Sequence, residues 1–133
     1  MLGSNQKVDD LMRAIARHEG WHPVGSPDFI AGSRSFRHHN PGNLRKSPFE
    51  IFNIDNFSVF ESDFIGYMAL HWDLLQKSRG STVTGLNGQS TLRELLFIWA
   101  PPSDNNDTEA YVRSVERSMG VPATTTLSEI FEN

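Results

Sequence analysis

Residues 21 to 48 cannot form a long helix or a long strand, and that interval decides what the chain can fold into. Pro23, Gly25, Pro27, Gly32, Pro41, Gly42 and Pro48 punctuate it at short spacing. Proline removes a backbone donor and glycine frees the backbone for turns. Before the interval lies one periodic segment, Gln6 to Glu19, with Val8, Leu11, Met12 and Ile15 at helical spacing. Gly20 and Pro23 stop that helix. After the interval come two short β-like runs, 49–54 and 57–60. Asp55-Asn56 between them is turn chemistry, so a small hairpin is expected.

From Ser62 onward the pattern is helical again. Ser62 is the expected N-cap, with Phe64, Ile65, Met68, Trp72 and Leu75 on the inner face and Gly80 at the end. Thr91 with Glu94 reads as a capping box opening Leu92 to Trp99, which Pro101-Pro102 ends. Asp107 or Thr108 caps the next helix, with Tyr111, Val112, Val115 and Met119 inward and Gly120 at the stop. Thr126 with Glu129 opens a last short helix. The expectation is one α+β domain over 1–133, mostly helical, with a small β-like lobe after the first helix and a flexible 1–5.

Hydrophobic residues make up 38% of the 133, enough for a core without disulfides, and there are 0 Cys. No apolar run approaches the roughly 18 residues of a membrane span, so no membrane insertion is expected. Residues 1–7 lack the apolar centre of a signal peptide. A net charge of −4 argues against a nucleic-acid partner. The charge is uneven: from Phe29 to Phe49 there is no acid, and Arg34, Arg37, Arg45 and Lys46 give +4. This is either an ordinary solvated loop or a basic lip for an anionic polymer.

Glu19 continues the stripe of Val8, Leu11 and Ile15, so it is expected to point inward, in the last turn of its helix. Burial and the helix dipole both push a carboxylate pKa upward there. A carboxylic acid kept protonated near neutral pH is what glycosidic cleavage needs. The plainer alternative is a helix cap or a buried ion pair.

Two segments, Ala14-Ile15-Ala16-Arg17-His18-Glu19-Gly20-Trp21 and Arg37-His38-His39-Asn40-Pro41-Gly42-Asn43-Leu44-Arg45, resemble a lysozyme-like family of phage and bacterial peptidoglycan-cleaving proteins. The likeness continues through Phe60-Glu61-Ser62, Gly66, Thr91-Leu92, Trp99-Ala100-Pro101-Pro102, Asn105-Asn106-Asp107-Thr108, Tyr111 and Gly120-Val121, covering roughly residues 8 to 130. His39 departs from the pattern, which usually has Asn there. The resemblance implies a lysozyme-like fold that cleaves the β-1,4 bond between N-acetylmuramic acid and N-acetylglucosamine, as lysozyme or lytic transglycosylase. It makes Glu19 the general acid and Glu61 the candidate second carboxylate. Glu61 also reads simply as a charge at a helix N-terminus. Expected substrate contacts are Trp21, Asn40, Gly42, Asn43, Arg45, Trp99, Asn106 and Tyr111. Asn40 to Asn43 also reads as a mere tight turn, and Trp21, Trp99 and Tyr111 as core. The implied partner is the peptidoglycan glycan strand, bound by a monomer without a cofactor. The chain would be made in the cytoplasm and reach the wall by phage release, in a virion or through dedicated export.

Two other classes remain. His18-Glu19-Gly20-Trp21-His22 matches the H-E-x-x-H pattern of zinc proteases, extended by Gly25 and Asp28. Gly20 and Pro23 break the turn that would have to hold both histidines, so no metal is expected. The third class is a lysozyme-like binding or structural module with a dead site.

Overall fold

The computed structural model describes residues 5–27 and 32–131. Nearly half the chain is helical, with one two-stranded antiparallel sheet, which places it in the α+β class. Its elements are α1 (Gln6–His18), α2 (Arg34–Arg37), β1 (Phe52–Ile54), β2 (Phe57–Val59), α3 (Asp63–Ser78), α4 (Leu92–Trp99), a 3-10 turn (Pro102–Asp104), α5 (Thr108–Met119) and α6 (Leu127–Phe131). Contacts cluster into two units. One is Met12–Asp73; the other joins residues up to Leu11 with those from Leu74 onward.

The second of these units is helical. Its buried side chains include Val8, Leu11, Leu74, Leu92, Leu95, Leu96, Tyr111, Val112, Val115, Leu127 and Ile130. The helix ends follow their sequence signals. Thr91 and Glu94 form the reciprocal capping box, with Glu94 N donating to Thr91 Oγ1 (3.1 Å) and Thr91 N to Glu94 Oε1 (2.8 Å). Thr126 and Glu129 repeat it at α6 (3.3 and 2.8 Å). Asp107 caps α5, and Gly120 closes it at φ 69°. Met119, expected inward, is only half-buried. Residues 1–4 of the expected flexible tail lie outside the described residues. Asn5 is fixed: its Oδ1 accepts from Val8 N (3.1 Å) and its Nδ2 donates to Ile130 O (2.9 Å).

Unit Met12–Asp73 holds the irregular interval and the hairpin. The turn Asp55-Asn56 has positive φ at both residues (54° and 67°), the type I′ geometry that matches strand twist. The strands are shorter than expected, running Phe52–Ile54 and Phe57–Val59, though Ile51 N still donates to Val59 O (2.9 Å). The four-residue α2 carries no periodic signal; Ser33 caps it.

The inner face of α3 differs from the sequence expectation. Phe64 is 65% exposed and Trp72 is 40% exposed, while Gly66, Ala69, Leu70, Leu74 and Ser78 are buried. Most sides of this helix are apolar, so periodicity does not choose among them. Small residues decide instead. A Cβ on Gly66 would collide with the His39 carbonyl oxygen, and one on Gly42 would lie 2.7 Å from Leu70 Cδ1. The loop from His39 to Gly42 therefore lies directly on the Gly66–Leu70 side of α3.

Candidate active site

Helix α1 ends in a Schellman motif. Trp21 N donates to Ala16 O (2.9 Å) and Gly20 N to Arg17 O (3.2 Å). Gly20 takes the left-handed conformation this requires, φ 97°. Glu19 is thereby the C-cap residue and is half-buried. Its N–H donates to Ile15 O (2.9 Å), and its carbonyl accepts from the Ser35 hydroxyl (2.9 Å). Ser33 Oγ donates to the next carbonyl, Gly20 O (2.8 Å). Two serines thus satisfy carbonyls that a helix end leaves without partners, and they fix the backbone that carries Glu19.

The chain turns so that Trp21 meets the start of α3. Its indole N–H donates to Asp63 Oδ1 (3.3 Å), and its ring meets Tyr67 edge-on at 5.3 Å between centroids. His39 Nδ1 lies 2.9 Å from the same Asp63 oxygen. Ser62 caps α3 as expected, its Oγ accepting from Ile65 N (3.2 Å). Asp63 is thus an acid in a helix first turn, where the dipole favours it. Burial pushes the Tyr67 phenol up to about 12, so it stays protonated and able to donate. Asp63 and Tyr67 were not singled out from sequence. The available signal was Trp21 itself, because an indole buried among other groups needs an acceptor for its N–H.

Asn40 and Gly42 are corrected by their surroundings. Asn40 is 0% exposed. Its Nδ2 donates to Leu44 O and Ser58 O (both 3.0 Å), and its Oδ1 accepts from Leu44 N (2.9 Å). It ties the loop to β2 and has no face left for a ligand. Gly42 is the close-packing position against Leu70. Asn43 adopts φ 50° and is half-buried, with its Oδ1 shielded and unpartnered among the described residues. Arg45 is exposed, its guanidinium 4.8 Å from the Phe57 ring centre. Glu61 is exposed just before α3, a solvated setting rather than a water-excluded one.

Three expected contacts belong to the helical unit. Tyr111 is 1% exposed, which makes it core and corrects its expected role. Trp99 is half-buried, with Lys77 Nζ 5.4 Å from its ring centre. Asn106 is exposed and donates to Pro101 O (3.1 Å).

The zinc pattern loses its geometry. Helix α1 stops at His18, and Gly20 reverses the chain before His22, so the two histidines do not share a helix face. Asp28 lies outside the described residues. Among the described residues, no three His, Asp or Glu are grouped to hold a metal. No protein family, curated protein or solved structure matches the chain.

Proposed function

We propose that the chain is a glycosidase of peptidoglycan, cleaving the β-1,4 bond between N-acetylmuramic acid and N-acetylglucosamine with Glu19 as general acid. The observation that carries this reading is the fixed Schellman end of α1. It presents one half-buried carboxyl from a backbone clamped by Ser33 and Ser35. Two residues on, Trp21 is held by Asp63 and Tyr67 as an aromatic wall suited to a sugar ring. In the reaction, protonated Glu19 gives its proton to the leaving glycosidic oxygen as the C–O bond breaks. Exposed Glu61 receives no step, and one acid suffices where a hydroxyl of the substrate attacks the anomeric carbon. A glycan strand is the substrate class, and the cell wall the place of action.

The test is mass spectrometry of digested peptidoglycan together with Glu19→Gln. Reducing ends mark hydrolysis and 1,6-anhydro ends mark transglycosylation; either supports a glycosidase. Glu19→Gln should lower turnover by about a hundredfold or more with the circular dichroism spectrum unchanged. Undiminished lysis by a folded Glu19→Gln protein would refute the assignment. Free peptide ends would favour a protease, and a wild-type chain that binds wall without cutting it would favour the dead module.

A further inference from the structure

The hairpin exposes the apolar side chains of its first strand. Antiparallel pairing sets Phe52 opposite Val59 and Ile54 opposite Phe57, so these four side chains share one face. Phe52 is 64% exposed and Ile54 50%. The other face carries Asn53, which is exposed, and Ser58, which is 0% exposed, while Phe57 and Val59 on the apolar face are half-buried. The apolar side chains of β1 thus face solvent, where those of a small sheet usually face the core. Two guanidiniums converge on the apolar face: Arg34 Cζ is 3.9 Å from the Phe57 ring centre and Arg45 Cζ 4.8 Å. Both arginines are exposed, and neither has a carboxylate partner among the described residues. The hairpin's own acids are placed elsewhere. Glu50 accepts from Ser58 Oγ on the inner face (2.7 Å), and Asp55 sits in the turn.

We infer that this face docks on an anionic lipid surface, Phe52 and Ile54 entering the headgroup–acyl boundary while Arg34 and Arg45 meet lipid phosphates. The chemistry of the face selects this occupant. A glycan needs fixed hydroxyl, amide or indole groups beside an aromatic plane, and Phe52, Ile54, Phe57 and Val59 offer none. A second copy packed symmetrically on the same face would bring two more arginines to it and no carboxylate to meet them. An anionic leaflet supplies both an apolar interior for the side chains and negative charge for the guanidiniums. No helix among the described residues is long and apolar enough to cross a membrane.

The test is co-sedimentation of the full chain with phosphatidylcholine vesicles and with vesicles of phosphatidylcholine and phosphatidylglycerol in equal parts. Binding is expected only to the second kind, weakening with salt. Arg34→Gln with Arg45→Gln should weaken it roughly thirtyfold, at about 1 kcal/mol per basic residue near the surface. Phe52→Ser with Ile54→Ser should abolish it. All four positions are exposed, and circular dichroism checks that each variant is folded. Glu19→Gln should bind vesicles as the wild type does, which keeps this result separate from the fate of the glycosidase reading. Absence of binding to phosphatidylglycerol vesicles would overturn the inference, as would binding indifferent to the Phe52 and Ile54 changes. Sedimentation equilibrium showing a dimer that those changes dissolve would assign the face to a second copy instead.

Discussion

Asn40 and Glu19 mark the limits of reading single residues from sequence. The position of Glu19 at the end of α1 was legible, because it depends on local signals, a helical stripe and the glycine that ends it, although Glu19 falls just past the last turn and is half-buried rather than inward. Asn40 was not, because its partners lie on two different segments. Leu44 is four residues away and Ser58 eighteen, and only the fold brings them to one amide. An Asn in a Pro-Gly turn looks like a surface residue until burial is known. Tyr111 misled for a related reason, since an aromatic that fits a sugar also fits a core. The structural role of Asn40 has a measurable consequence. Asn40→Ala would strip Leu44 N of its acceptor while leaving it buried, whereas Leu44 O keeps the Ser58 N–H (2.9 Å). One orphaned buried group costs about 1–3 kcal/mol, so the variant should lose roughly 2 kcal/mol. Urea unfolding checks this; a loss well under 1 kcal/mol would mean that water replaces the amide.

At the scale of elements, caps and turns were the most legible features and faces the least. The boxes at Thr91 and Thr126, the Gly120 stop and the type I′ turn each depend on a few adjacent residues. The buried side of α3 depends on what lies against it, and Gly66 and Gly42 were the quiet signals of that contact. The hairpin's inner face makes a second prediction. Glu50 Oε1 accepts from Ser58 Oγ (2.7 Å), Asn53 Nδ2 (3.0 Å) and Ser47 N (3.4 Å). The Ser58 hydroxyl first, then Asn53, hold this carboxyl below its usual 4.5. A folded-state pKa below the unfolded value stabilises the fold above the unfolded value. The contribution fades as pH falls through the folded value. Glu50→Gln should therefore be less stable than wild type at neutral pH, with the gap closing in acid. The effect is modest because the group lies near the surface. Urea midpoints of both proteins across that range measure it, and a gap constant with pH would remove the charge from the explanation.

Over the whole molecule, the sequence already displays an opposition of charge. Residues 29 to 49 carry +4 while the rest carries −8. Four exposed cations are involved, and the two that contact Phe57 differ in role from the two that do not. Arg34 and Arg45 are part of a local surface. Arg37, whose Nε donates to Gly32 O (2.9 Å), and Lys46 contribute charge without touching that ring. On the proposed reading, their influence on an anionic wall would be a field effect. It should reach about 30 Å at 0.01 M salt and only about 8 Å at 0.15 M. Arg37→Glu with Lys46→Glu should therefore weaken pelleting with peptidoglycan several-fold at low salt, a rough figure for two reversed charges acting through solvent. The deficit should vanish as salt rises, because screening removes the field from wild type and variant alike. A deficit that persists at high salt would mean that Arg37 or Lys46 makes a direct, shielded contact with the polymer. Equal pelleting at every salt concentration would reduce the acid-free segment to a solvated loop.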